Sequence, residues 1–597
     1  MDAADARFRA KLARQSPDLP AAVAEYTRRY ARAPPRGFDK WYDYARAHGF
    51  VMVDEFDVIA EDLAPFWEMG GRELRERARV VGGLPSVDLV RVRGGEAETV
   101  KGGDGRFVDS EVSARAAGFK AMLTKFVKEL PDMDFPINAK AEGRVVVPWE
   151  HKNYPNTTKD APQLDPATFR PDWAGNGSVW DAWRRTCAPA APARRLYNSI
   201  SANAAGGGGA RDWLAEAEAG AGGESHAGIG TGGEFAFTRE TGAGEVDFCQ
   251  APSAHYEQGH FFSDWRVLPT LVPVFSPARA RGFGDIRIPS HYYYGGTRRY
   301  TYGWDPINLE QRPVDAMEVP WEAKRDVVWW RGASTGGGSS PPGFGRGYQR
   351  HRFLRMSSLG IVPGTLADAQ RTTAVTFAVP PQVETVLTQS RAQEPYTYSS
   401  SSTSTGGYTY TNTYTTVPVP LGALNADVMD TAFTKAVVPI GAEHRFGDST
   451  ELGVAWGYKY LLDLDGMGYS GRFMAFLASD SVPVKATVYD EFFSGWIEPW
   501  VHYIPLSATY SEIYNIVAYF SGPPPSALRA AQLADPNTAS ATAQEEGDRR
   551  LRRIARAGKQ WKQTIGRTVD MEIYVYRLAL EYARLWADDR EAMSYTP

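Results

Sequence analysis

The chain is poor in cysteine: Cys187 and Cys249 are its two among 597 residues. That rules out a disulfide-dense scaffold, and with no C-x-x-C pair it rules out a thiolate zinc site. Nine dispersed histidines and the absence of H-E-x-x-H give no zinc-hydrolase helix. No apolar run approaches the roughly 18–20 residues of a membrane span. The first 50 residues are charged and Ala/Arg-rich, without the apolar core of a signal peptide. A membrane partner is therefore expected only through an anchor outside this sequence. Basic surplus is absent as well. A net charge of −5 gives nucleic acid or an anionic lipid surface no electrostatic handle.

What is present is ample core material, with 43% apolar residues and 17 Trp. The length exceeds what one core usually supports, which predicts two domains. Apolar residues at helical spacing predict helices over 20–48, 57–80 and 113–130. Residues 155–245 read as loop-rich, with a mobile Gly/Ala stretch at 206–223. From residue 326 strands alternate with helices, which implies a parallel sheet covered on both faces. The Ser/Thr/Tyr-rich segment 396–416 reads as a poorly ordered insertion. The last 50 residues read as helical. The expected architecture is α/β, with two Rossmann-like halves facing a cleft. Residues 1–320 form the first half, 321–530 the second, and 531–597 are helices that pack back on the first.

The densest chemistry lies in residues 458–503, YKYLLDLDGMGYSGRFMAFLASDSVPVKATVYDEFFSGWIEPWVHY. Gly466, Gly468 and Gly471 form a turn that feeds a helix expected over 472–478. Backbone N–H groups at such a point favour an anion, and Arg472 adds a guanidinium that forks onto phosphate oxygens. A second small-residue loop follows a strand at Trp329–Gly338, WWRGASTGGG. It lacks the GK[ST] ending of a P-loop, which argues against ATP hydrolysis. Arg350, His351 and Arg352 follow on the next helix, where they either return to the same anion or form a solvated charge run. Asp463 and Asp465 alternate on a strand and so share a face. They are the natural place to look for a divalent cation, but the turn and Arg472 already supply positive charge, so no metal is required. Asp132, Asp134 and Glu142 are candidate proton acceptors. The two cysteines are either unpaired apolar residues or one disulfide formed in a secretory lumen. Asn156 and Asn176 head glycosylation tripeptides that fit the latter.

These blocks occur in a fixed order. FDKWYDYA, LPDMDFPIN, LVPVFS, DIRIPSHYYY, WWRGAST and the 458–505 stretch together resemble glycosyltransferase family 90, the fungal capsule-associated transferases and the animal protein O-glucosyltransferases. The resemblance spans residues 38 to about 520. It implies a GT-B fold, a UDP-sugar bound by the second half, inversion at the anomeric carbon, and a Golgi or secretory-lumen location. By position, Arg331, Gly332, Ala333, Ser334 and Thr335 would lie at the donor, with Arg350 or Arg352 as its arginine. Met467, Gly468, Tyr469, Ser470, Gly471 and Arg472 would wrap the UDP-sugar. Tyr292, Tyr293 and Tyr294 would stand near the acceptor. The animal members carry a base aspartate where this chain has Ala141, which leaves Glu142, with Asp132 behind it, as the expected base. The fungal members point to UDP-xylose and a mannose-containing glycan acceptor, with UDP-glucose or a catalytically impaired glycan binder as the alternatives.

Overall fold

The computed structural model describes residues 1–100, 114–154, 164–173, 177–195, 237–294, 317–338, 344–366, 368–379, 399–405, 408–438, 440–533 and 541–596. Asn156, Asn176 and the 206–223 stretch lie outside them.

The helix expected over 20–48 is two helices, Leu19–Tyr30 and Phe38–Ala47. Pro34 and Pro35 lie between them and offer no N–H to continue the ladder. The helix expected over 57–80 likewise divides, into Asp57–Leu63 and Gly71–Gly82, with Gly70 and Gly71 at the break. The third is Ala114–Leu123.

The first sheet contains β1 (Val87–Arg93), β2 (Glu96–Val100), β3 (Met133–Asn138) and β4 (Phe275–Ser276). After the outlying strand β5 (Ala278–Ala280), β6 (Ile286–Arg287) completes it in the order β2-β1-β3-β4-β6. It is mixed rather than Rossmann-like. β1 runs antiparallel to both β2 and β3, and only β3-β4-β6 is parallel. The cause is local. Gly94 and Gly95 both have positive φ (+59° and +79°), which makes a primed two-residue hairpin that returns the chain at once.

The second half begins with β7 (Arg325–Ala333). β8 (Thr372–Val379), β9 (Ser399–Thr405) and β10 (Tyr408–Pro420) then form a separate antiparallel sheet in the order β8-β10-β9. Most of the segment expected to be poorly ordered is therefore paired strand. Runs of Thr and Tyr suit a pleated surface, and β propensity outweighed low complexity. β11 (Met429–Lys435), β12 (Tyr458–Leu464) and β13 (Val482–Ala486) continue the main sheet. β14 (Tyr489–Glu491) leaves it to pair with β5, and β15 (Ile504–Pro505) closes it. This sheet is all parallel, in the order β11-β7-β12-β13-β15.

The C-terminal helix Thr568–Trp586 packs on helices of the first half, Phe38–Ala47, Gly71–Gly82 and Ala114–Leu123. Its Tyr576 ring stacks on Phe126 at 4.2 Å, and Trp41 Nε1 donates to the Ile573 carbonyl at 3.0 Å. Arg577 is buried among the rings of Tyr26, Phe38 and Trp41, 4.6–4.8 Å from their centres, and pairs with Glu581. Cys187 and Cys249 form a disulfide across 62 residues, so they are not the unpaired apolar residues of the first reading. Among the described residues no helix is long and apolar enough to cross a membrane.

Candidate active site

Counted along the chain, the strands of the parallel sheet read 2-1-3-4-5. The strand order reverses between β7 and β12, and a ligand crevice belongs outside the carboxyl ends of those two strands. The loop that begins at Ser334 leaves β7 at this point, and the glycine turn leaves β12 beside it. Sheet topology thus brings together the two anion-binding candidates that lie more than 120 residues apart.

Arg350 ties the two strand ends. On the helix Gln349–Ser358, its Nε donates to the Asp465 carbonyl (2.8 Å) and its Nη2 to that of Leu464 (3.2 Å). Its Nη1 donates to the Ala333 carbonyl (3.0 Å) and the Thr335 hydroxyl (2.6 Å). Arg472 spans the same gap, with Nη1 2.5 Å from the Arg331 carbonyl and the guanidinium over the Trp330 ring. Arg352 goes elsewhere. It pairs with Glu257 and lies over the Tyr510 ring, so of the two arginines Arg350 alone faces the crevice. The Arg331 side chain turns back to Asp430 on β11 (2.6 Å). Ser334 is buried and committed: its hydroxyl donates to the Val438 carbonyl and accepts from the Val437 and Val438 N–H groups. Gly332, Ala333 and Thr335 are the half-buried faces of this loop.

The helix after the glycine turn is Phe473–Leu477, five residues rather than the seven expected, with Arg472 at its N-cap. So short a helix contributes little dipole, and the fixed positive charge at these two strand ends is that of the Arg350 and Arg472 guanidinium groups. Met467 is half-buried at the tip of the turn. Tyr469 and Ser470 point inward: the Tyr469 hydroxyl meets Ser290, and Ser470 Oγ donates to Asp463. Gly471 lies under the Tyr292 ring. Gly468 abuts the main chain at Ala141, where any Cβ would collide with the Ala141 carbonyl. The turn from the second half therefore touches the loop that carries Glu142. Gly468→Val is expected to force these segments apart and weaken UDP binding, while secondary structure, read by circular dichroism, stays native.

Asp463 and Asp465 do not converge on a cation position. Asp463 pairs with Lys485 directly across from it on β13 (2.9 Å), and Asp465 accepts from the Thr487 hydroxyl (2.6 Å) and the Val488 N–H (2.9 Å). Burial pushes Asp465 up to about 7, against the pull of Lys485 and of those two donors. Lys485 also reaches Glu491 (3.4 Å), likewise lifted by burial to about 7. Burial alone would lower the Lys485 pKa, but the carboxylates around it outweigh burial and hold it above the ordinary value.

Glu142 is buried, with Ser263 Oγ 3.4 Å from Oε1. Asn138 holds its loop, donating to the Glu142 carbonyl and accepting from the Lys140 N–H. Burial raises the Glu142 pKa, and the nearby charges of Arg115, Lys140 and Arg144 only partly offset this. A carboxylate shifted toward neutrality is suited to taking a proton near physiological pH. Asp132 is not part of this site. It is exposed at the opposite end of β3, where it accepts from the Gly94 N–H of the hairpin (2.8 Å). Asp134 is taken by Arg91 and Arg93. The tyrosine strip is also reassigned. Tyr294 donates to Glu572 on the C-terminal helix (2.7 Å), and Tyr293 binds Glu491 and the glycine turn. Only Tyr292 is partly open.

Sequence reasoning missed Lys485, Glu491 and Gln349, whose amide donates to the Gly466 carbonyl (3.0 Å). The signal for Lys485 was legible: a charged residue set into the otherwise apolar strand VPVKA is either paired or functional.

Removing the Arg472 side chain breaks a charge-assisted contact at the crevice. Arg472→Ala is expected to raise the Kd for UDP about 10- to 100-fold by calorimetry. An unchanged Kd would remove Arg472 from the nucleotide site.

Residues 422–535 match the model of the family "Glycosyl transferase family 90". Protein O-glucosyltransferase 2 of Danio rerio is 27% identical over 129 residues. The similarity covers 21% of this chain and 21% of that protein. The family match contains β11 to β15, the glycine turn, Arg472, Lys485 and Glu491. The chain carries a glycosyl transferase family 90 region across residues 422–535.

Proposed function

We propose that the protein is an inverting glycosyltransferase of GT-B type that moves a sugar from a UDP-sugar to a hydroxyl of a mannose-containing glycan. One observation carries the reading. The glycine turn at the switch point of a parallel sheet abuts, through Gly468 and Ala141, the loop that carries a buried carboxylate of raised pKa. Donor and base are thereby neighbours.

In this reading the acceptor hydroxyl loses its proton to Glu142 as its oxygen bonds to the anomeric carbon. The bond from that carbon to the UDP oxygen breaks on the opposite face, and UDP leaves with the electron pair. Arg350 and Arg472 face the charge that builds on the departing diphosphate, where fixed cations act most strongly. The site as described needs no metal: Asp463 and Asp465 already have protein donors, and the two guanidinium groups supply the positive charge.

UDP-xylose is the favoured donor, on the resemblance to fungal members. The relative's printed name favours UDP-glucose as the alternative. Ala141, at the position of the family's base aspartate, favours a second reading, a glycan binder that has lost turnover. The Cys187–Cys249 disulfide supports a secretory or Golgi lumen, since such bonds persist in oxidising compartments.

A donor panel tests the proposal. UDP-xylose, UDP-glucose, UDP-galactose, UDP-glucuronate and GDP-mannose are each offered with simple mannosides, with and without EDTA, and scored by product mass. Transfer from one UDP-sugar that survives EDTA is the expected result. Binding of a mannoside without transfer from any donor would favour the glycan-binder reading, and no binding of any UDP-sugar would sink the transferase reading.

A further inference from the structure

Beneath the glycine turn three carboxylates, Asp463, Asp465 and Glu491, are buried around one cation, Lys485. Two negative charges in excess in a dry interior are costly, so protons are held there. The place of one is legible in the hydrogen bonds. The Tyr293 hydroxyl, from the first half of the chain, lies 2.7 Å from Glu491 Oε2 and 3.0 Å from the Ser470 carbonyl. A hydroxyl has one proton to donate, and both neighbours are acceptors when Glu491 is ionised. Only a neutral Glu491 satisfies both contacts: its own proton goes to Tyr293 Oη, and the Tyr293 proton then goes to the Ser470 carbonyl.

We propose that Glu491 is a proton-dependent positioning residue, whose neutral form lets Tyr293 hold Ser470 and so fixes the 466–472 turn for the nucleotide. On ionisation Tyr293 turns its proton to Glu491, and Ser470 loses its donor. The inference rests on the proposed UDP-sugar site and adds to it a coupling between pH and donor binding. Burial, partly offset by Lys485 and by the Tyr293 contact, places the Glu491 transition about pH 7, in agreement with the geometry. The sign follows: the turn is held below that pH and released above it. The charged groups against Glu491 are Lys485 and, beyond it, Asp463 and Asp465. On the facing strand Ala278 stands opposite, and its neighbour Arg279 is turned to Asp62 (2.6 Å).

The experiment is UDP binding by calorimetry at pH 6 and pH 8, for the native protein, Glu491→Gln and Tyr293→Phe. The glutamine keeps an amide that donates to Tyr293 at every pH. Relative to Glu491→Gln, the native Kd is expected to rise about fivefold between the two pH values, the worth of one hydrogen bond. Comparison at equal pH cancels the titration of UDP itself. Tyr293→Phe should bind about fivefold more weakly than native at pH 6 and lose that difference by pH 8. A general loss of packing would not produce a pH-specific rescue. Parallel pH profiles for native and Glu491→Gln, or a Tyr293→Phe profile identical to native, would overturn the inference while leaving the nucleotide site intact. Absence of UDP binding in the native protein would instead overturn the functional reading, and this inference with it.

Discussion

Glu142→Gln is expected to keep UDP affinity within about twofold and to cut sugar transfer by about 10²–10⁴-fold, the usual contribution of a positioned general base. The substitution preserves shape and the capacity to accept from Ser263, so folding should be spared. What it removes is basicity. Glu142 sits where Asn138, Lys140 and Ser263 fix its loop, one residue from the Ala141 carbonyl that meets the glycine turn. Single-turnover assays with saturating donor isolate the chemical step. A fully active variant would assign the base elsewhere, and Asp132 is not the candidate, because it lies on the far side of β3. If native transfer is itself at the level of the variant, the loss of aspartate at position 141 has cost the enzyme its base.

Loss of the disulfide should produce the largest change in stability. Cys187→Ser together with Cys249→Ser opens a loop of 62 residues, which by chain entropy costs about 4 kcal/mol. The bridge joins segments with little regular structure of their own: Cys187 ends a short helical turn, and Cys249 follows the four-residue helix Gly242–Glu245. Around it Trp180, Trp183, Phe248 and Phe261 pack ring against ring at 4.9–5.9 Å. That cluster has few backbone ladders to hold it, so the cross-link should matter more here than in a sheet. Reversible unfolding in denaturant, compared at equal protein concentration, reads the loss. A change under about 1 kcal/mol would mean that the aromatic cluster holds the loop unaided.

The second half of the chain was largely legible because its strands are apolar runs and its turns are glycine-rich, both local signals. Residues 458–464 and 482–486 were placed on strands, and the crevice followed from their order. The first half was less so. Its sheet is mixed because Gly94 and Gly95 turn the chain back after β1, a two-residue event easily lost in a long sequence. The tyrosine strip misled for a related reason. Residue type indicated aromatic surface, but Tyr293 and Tyr294 find Glu491 and Glu572 198 and 278 residues away. Such pairings exist only once the fold is made. Asp132 and Glu142 looked alike in sequence, and only strand direction separates them, since β3 carries them to opposite ends.

The C-terminal helix has a consequence for where the chain can be shortened. Tyr574, Tyr576, Arg577 and Leu580 complete the core that Trp41, Phe56 and Phe126 begin. The Arg36 N–H donates to the Met593 carbonyl, and the Tyr595 N–H to that of Pro34. The first half of the chain therefore does not close its own interior without the C-terminal helix. Trp41 and Phe56 are covered by residues more than 500 positions further along the sequence. The interior of the first half is therefore closed by the most distant segment of the sequence, and a chain shortened before residue 568 would leave that aromatic core open to water.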